Sequence, residues 1–399
     1  MSEISLILKS LLRSKVVPAL IVLQLALSVA IVSNITFFIV ERVAQISRPT
    51  GLDHEKLGPI SYKHDNDEIL HQQLVDQDLE YLKSRPDVSG VSVVSGIHLS
   101  NGGMNVRYKS TPDSDVEFLT QLLYSDENIV DNLGLTLLEG RNFNATDVGI
   151  YKSEDMPTEA SILISKSFAE MVFPGESAVG KQLYAGDNSA TVIGVVSDSI
   201  GFYTTWEHTY SMVYHVRMPA WAVQYYLIKT DTGNIDQVLS ESIEALKDLE
   251  FERSVSNPKS MSSLLRRSYN NQYSMIYILS FVTLMLIFVN ILGIVGLTTF
   301  WVNQRRKQIG IRRALGASKA AITQYFLIEN GLLVATSAVF GGFFAYGASG
   351  YMMKTFSMQM LPLSYVPIAS IVILFVTLAA ALNPALKAAE VSPVEAVAD

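Results

Sequence analysis

Residues 275–319 read MIYILSFVTLMLIFVNILGIVGLTTFWVNQRRKQIGIRRALGASK. From Met275 to Val302 nothing is charged, and the charge-free run reaches back to Ser268 and on to Gln304. As a helix it outreaches the ~30 Å hydrocarbon core of a bilayer, so it predicts a membrane span. Arg305, Arg306, Lys307, Arg312, Arg313 and Lys319 follow with no acid among them. A short connection so rich in basic residues is held on the cytosolic side. This stretch therefore sets both the fold class and the orientation.

Working outward, residues 16–40, 330–353 and 355–386 are charge-free or nearly so, the last densest from Val366 to Leu382. Four spans are expected. The first follows Lys9, Arg13 and Lys15 and contains the small triplet Ser28, Val29 and Ala30, as a signal peptide does. Its apolar run continues to Val40, longer than a signal h-region, so an uncleaved anchor is expected. Residues 42–272 carry 19 basic and 32 acidic residues, a net of −13, and belong on the far side of the membrane from the basic connection. An even number of spans leaves both chain ends cytosolic. Ile4, Leu8, Leu11 and Leu12 recur at helical spacing. They read either as a surface amphipathic helix or as a continuation of the first span. The expected divisions are a cytosolic segment 1–15, spans 16–41, 273–302, 320–351 and 365–384, an extracytoplasmic domain 42–272, a cytosolic connection 303–319, a loop 352–364 and a tail 385–399.

Composition agrees with a membrane protein: 49% of the 399 residues are hydrophobic and only 17% charged. The net charge of −8 offers nucleic acid no attraction. With no cysteine, disulfides, thiolate metal sites and cysteine nucleophiles are excluded. Within the large insert, Val91–Val94, Ile162–Ile164, Thr191–Val196 and Tyr225–Lys229 predict strands. Helices are predicted at Ile69–Leu82 and Ile235–Leu249, where Ile235, Val238, Leu239, Ile243 and Leu246 keep the 3.6-residue period. Ser167 with Glu170 fits a capping box opening a helix that runs through Phe173. The class is α+β.

Catalytic patterns are missing. There is no HExxH or G-x-S-x-G, and the histidines (54, 64, 71, 98, 208 and 215) show no metal spacing. Asp65, Asp67 and Glu68 read as solvated surface, and Asn144, Ala145 and Thr146 as a chance sequon. Nor is there a G-x-x-x-x-G-K-[ST] loop to wrap phosphates; Gly310 and Gly316 have the wrong spacing. No cofactor is expected in this chain. If ATP drives it, another chain binds ATP and Mg.

The stretch from Gln304 to Lys319, followed by Ile322, Phe326, Glu329 and a Gly/Ala-rich helix, resembles the C-terminal signature of the FtsX-like and MacB-like ABC transporter permeases. Leu138–Phe143, Ile162–Ala169, Phe173–Lys181 and Val192–Val196 resemble the MacB-type periplasmic core domain, and Asn383–Ala396 resembles the family's ending. The resemblance implies a non-catalytic permease subunit without a fused ATPase domain, in a bacterial inner membrane. It implies a separate cytosolic ATPase, a second permease subunit in a homo- or heterodimer, and an optional periplasmic adaptor and outer-membrane duct. ATP hydrolysis would move the extracytoplasmic domain and drive efflux of a peptide, toxin or antibiotic. A lipoprotein-release permease and an FtsX-like regulator of cell-envelope enzymes are the alternatives. Ile309, Gly310, Ile311, Arg312, Arg313, Leu315, Gly316, Ala317 and Ser318 would form the coupling helix, helical over Ile309–Ala317, with the glycines at turns or close approaches.

Glu329 is the one acid at membrane depth. An ion pair with Arg312 or Arg313 near the boundary is expected rather than a proton relay. Ala26, Ala30, Gly293, Gly296, Ser337, Gly341 and Gly342 suit close helix packing, within one subunit or between two.

Overall fold

The computed structural model describes residues 16–63, 68–151, 157–219, 225–231, 234–249, 254–255, 259–356 and 359–390. The readings of residues 1–15, of Asp65 and Asp67, and of the tail beyond Glu390 lie outside them. The chain divides into two compact units: Ser47–Asn271, and the helices that precede and follow it in sequence.

Helix α1 (Val16–Ile46) opens the helical unit. The inserted unit then supplies strands β1 (Leu57–Lys63), β2 (Gly90–Val94), β3 (Met104–Tyr108), β4 (Phe118–Tyr124), β5 (Leu137–Gly140) and β6 (Gly149–Tyr151). Strands β7 (Glu159–Ser165), β8 (Gln182–Ala185), β9 (Asn188–Val196), β10 (Met212–His215), β11 (Arg217–Pro219), β12 (Tyr225–Lys229) and β13 (Ser254–Val255) follow. Among them lie helices α2 (Glu68–Ser84), α3 (Ile129–Leu133), α4 (Lys166–Val172), α5 (Ile235–Leu249) and α6 (Met261–Ser268).

One sheet is antiparallel in the order β13-β1-β12-β2. Its Ile60, Val91, Val93, Tyr226 and Ile228 share a core with Val75 and Leu82 of α2 and Val238, Leu239, Ile243 and Leu246 of α5. The helical period read from Ile235 to Leu246 is what buries that face. A second, mixed sheet runs β3-β4-β10-β7-β9-β5, with β8 also on β9. Lys109 at the end of β3 bridges back to Tyr184 of β8, which closes the sheet around Tyr108, Ile162, Ile164, Phe168, Leu183, Val192 and Val213. Strand β5 stays at an open edge. The two sheets are tied where β2 meets the end of β4: Asp126 accepts from Ser92 Oγ at 2.8 Å and Val93 N–H at 3.0 Å, and Ser125 Oγ donates to Val93 O at 2.8 Å.

The capping-box expectation is corrected. Helix α4 starts at Lys166, and its cap is Ser165, whose Oγ accepts the Phe168 N–H. Ser167 is taken by Asp198, which accepts its N–H at 2.8 Å and its Oγ–H at 2.7 Å. Glu170 instead pairs with Lys166 one turn earlier. The helix ends at Val172, short of Phe173.

The helical unit resumes with α7 (Asn270–Gln304), α8 (Arg306–Ala314), α9 (Lys319–Phe356) and α10 (Tyr365–Ala389). Four helices, α1, α7, α9 and α10, are long and apolar enough to cross a membrane. Helices α1 and α9 outrun their charge-free stretches, and α10 does so at its C-terminal end, because polar residues there, such as Glu41 and Arg42 of α1, continue the helical hydrogen bonding, whereas α7 lies within its own. Ile21, Leu25, Val29 and Val32 of α1 meet Leu333 and Val334 of α9, Ile373 and Ala381 of α10, and Ile294 and Trp301 of α7.

Candidate functional site

The candidate site is the turn region between α7 and α9, built on α8. The backbone N–H of Arg305 donates to Trp301 O and Val302 O as α7 ends. Its guanidinium carbon lies 4.4 Å from the Trp301 ring centroid, and Nη1 donates to Glu329 Oε1 at 3.1 Å. Glu329 is only 3% exposed. The expected ion pair is therefore made, but with Arg305 and not with Arg312 or Arg313. The missed signal is the Trp301–Arg305 spacing, one helical turn, which lets the ring carry the cation.

Helix α8 occupies Arg306–Ala314, three residues earlier than the expected Ile309–Ala317. Gly310 is consequently a buried interior helical residue and not a turn. Gly316 does turn the chain, with φ +97°, and its N–H donates to Arg313 O while that of Ala317 donates to Arg312 O. Such a left-handed residue satisfies the orphan carbonyls of the helix end, and glycine holds it without strain. Ser318 then caps α9, its Oγ accepting the Ala321 N–H at 3.1 Å.

The faces of α8 differ. Ile309 is buried with Val302, Ile322, Phe326, Ala385, Ala388 and Ala389, so it holds the helix to its own bundle and is not offered to a partner. Arg313 donates to Ala389 O at the end of α10, where a cation also suits the helix dipole. Arg312 stacks on Tyr325, 4.8 Å from the centroid. Ile311 and Leu315, one turn apart, point away from the bundle and are 47% and 83% exposed. Ala317 is half-buried against the same small core as Ile309.

The small residues divide in the same way. Ala26, Ala30 and Ser337 are buried. A Cβ on Gly341 would lie 2.7 Å from Ala26 O and from Val29 Cβ, one on Gly293 2.5 Å from Gln24 Nε2, and one on Gly342 3.4 Å from Val366. These positions pack helices within this chain. A Cβ on Gly296 would meet nothing within 4 Å among the described residues. Helix α7 is held to α1 by polar contacts, Gln24 Nε2 and Ser28 Oγ both donating to Asn290 Oδ1. It leaves Phe281, Leu284, Phe288 and Leu292 exposed. Among the described residues no three His, Asp or Glu side chains come together as a metal site.

Comparison with known proteins gives two family matches. The family described as MacB-like periplasmic core domain matches residues 19–246, and FtsX-like permease C-terminal matches 280–393. A "Probable syringafactin export ATP-binding/permease protein SyfD" from Pseudomonas syringae pv. tomato is 25% identical over 71% of this chain and 47% of its own length. A "Probable export ATP-binding/permease protein MacB" from Pseudomonas entomophila is 22% identical over 74% and 44%. An "Uncharacterized ABC transporter permease YvrN" from Bacillus subtilis is 21% identical over 88% of this chain and 84% of its own. The chain thus spans about half the length of the first two relatives.

Proposed function

Since the chain belongs to the ABC transporter permease family with a MacB-like periplasmic core domain and an FtsX-like C-terminal segment, we propose that it transmits the work of an ATPase to its extracytoplasmic domain. On this reading a separate cytosolic ATPase subunit binds ATP and Mg, the permease sits in an inner membrane with both ends cytosolic, and a second permease subunit completes a dimer. Closure of the ATPase pair displaces α8, and the extracytoplasmic domains change shape and expel a substrate already outside the cytosol. Its chemistry is a peptide, toxin or antibiotic, and an adaptor and outer-membrane duct extend the route.

The observation that carries this is the construction of α8. It presents Ile311 and Leu315 outward with Lys307 beside them, while Ile309, Arg305 and Arg313 lock it to α9 and α10. A lever needs both: a surface to be pushed and rigid attachment to what it moves. Apolar side chains so exposed on a short basic helix suit burial in a protein groove.

The test is purification of tagged protein from its host in mild detergent, with an ATPase assay and mass spectrometry on what accompanies it. Leu315→Asp is expected to retain the wild-type melting temperature and to lose the copurifying ATPase. An ATPase retained in full by Leu315→Asp, or absent from wild type, sinks the proposal.

A further inference from the structure

A cleft lies between α8 and the start of α9, apart from the outward Ile311 and Leu315. Its floor is Ile309, Ile322 and Phe326, and its rim is Arg305, Gln308, Arg312 and Tyr325. The two cations differ. Arg305 is neutralised by Glu329. Arg312 has no carboxylate within ion-pair distance among the described residues; its guanidinium is steadied by the face of Tyr325 at 4.8 Å. The cleft therefore carries two guanidinium groups against one carboxylate, Glu329, which lies in the field of both, and its surplus charge is the oriented Arg312 fork with an amide beside it, which suits a tetrahedral oxyanion more than a lone ion.

Its depth is set by sequence. The apolar run of α7 ends at Val302, three residues before Arg305, and that of α9 starts just beyond Glu329. The cleft thus falls where two spanning helices leave hydrocarbon, the layer that holds lipid phosphates. This placement requires only that α7 and α9 span, whichever side α8 faces. It is independent of the ATPase reading.

We propose that this cleft binds a phosphate anion, supplied by the headgroup phosphodiester of an anionic phospholipid. Arg312 and Gln308 grip the phosphate oxygens, Tyr325 holds the guanidinium in place, and Arg305 contributes field while remaining bonded to Glu329. Lipid occupancy would fill the space between α8 and α9 and stiffen the connection that α8 makes.

The experiment is native mass spectrometry of the delipidated full chain, titrated with phosphatidylglycerol, with phosphatidylcholine, or with inorganic phosphate. Wild type is expected to retain phosphatidylglycerol in preference to phosphatidylcholine. Arg312→Gln is expected to weaken that retention about tenfold, the loss of one charge-assisted contact. Tyr325→Leu should lower it less. Lys354→Gln, near the other end of α9, should leave it unchanged. Melting temperatures of all variants check folding, and Arg312→Lys, which keeps the charge without the fork, stands in if Arg312→Gln does not fold. Equal retention of the two lipids, or by wild type and Arg312→Gln, overturns the proposal. Binding of inorganic phosphate with no lipid retained overturns the lipid source. Loss of a copurifying ATPase from Arg312→Gln with lipid retention unchanged gives the cleft to a protein partner instead. Because Leu315 does not line the cleft, either reading can fail without the other.

Discussion

Glu329 and Arg305 illustrate a pair whose members cannot be removed one at a time. The carboxylate is buried and bonded to a guanidinium that is itself 12% exposed. Deleting one partner strands the other, at a cost of about 3–5 kcal/mol, whereas replacing both with apolar groups of similar size is close to neutral. Glu329→Leu alone should therefore lower the unfolding midpoint in detergent sharply, and Glu329→Leu with Arg305→Met should recover most of it. If the double variant is no better than the single, the pair is not what stabilises this turn. Gly316 gives a second test. Its φ of +97° is one that an L side chain tolerates poorly, so Gly316→Ala should destabilise by about 1 kcal/mol or more. The turn itself was legible from the glycine; Gly310, the middle residue of α8, looked the same in sequence and is not a turn. Only the register of α8 distinguishes them, and that register is set by Arg305 and Ile309 finding partners on α9 and α10, which a local pattern does not contain.

At the scale of elements, α1 and α9 approach closely where Gly341 faces Ala26 and Val29. Gly341→Val forces atoms into Ala26 O and Val29, and overpacking of this kind costs about 1–3 kcal/mol. At Gly296 an added Cβ meets nothing within 4 Å among the described residues, so Gly296→Val should leave subunit stability unchanged. The same substitution reports on the open face of α7. If that face meets a second copy, cross-linking yield should fall with Gly296→Val while the melting temperature holds. Unchanged cross-linking would turn the face towards lipid instead. Spans were readable because twenty apolar residues in a row have few alternatives. Strands were readable only where buried and β-branched or aromatic, as in β7, β9 and β12. Strand β5 exposes every residue, and β1 contains Gly58 and Pro59, a combination that argues against a strand. Among the described residues Pro59 is paired with Leu227 of β12 alone, a position that needs no second donor.

At the scale of the whole molecule, acid should act on the inserted unit through opposed groups. Burial pushes His98 and His215 down to about 4, from an ordinary 6.5. Each contributes stability above pH 6.5 that is lost as pH falls towards 4, roughly 3 kcal/mol per histidine at ~1.4 kcal/mol per unit. Burial pushes Asp126 up to about 6, against the pull of Ser92 and the Val93 and Asn128 N–H groups. Its contribution has the opposite sign, growing as pH falls from about 6 towards 3.8. Urea midpoints of the purified chain between pH 7 and 4.5 should therefore fall for wild type, fall more steeply for Asp126→Asn and less for His98→Leu. Parallel slopes in all three would exclude these groups as the cause. Asp126 was not singled out from sequence, because its burial arises where β2 and the end of β4 meet, more than thirty residues apart along the chain.

The interleaving of the two units also has a consequence for biogenesis. Helix α1 emerges from the ribosome first, yet the surface that fits Ala26, Val29 and Asn34 belongs to α9, some three hundred residues later. At ~5–20 residues per second that is a wait of about 15–60 s. Throughout it, the groove around Ala26 and the Asn34 amide, which finally donates to Ala345 O, must be shielded by lipid or an insertase. The ectodomain has that interval in which to fold, so its folding precedes the packing of α1 against α9 and α10.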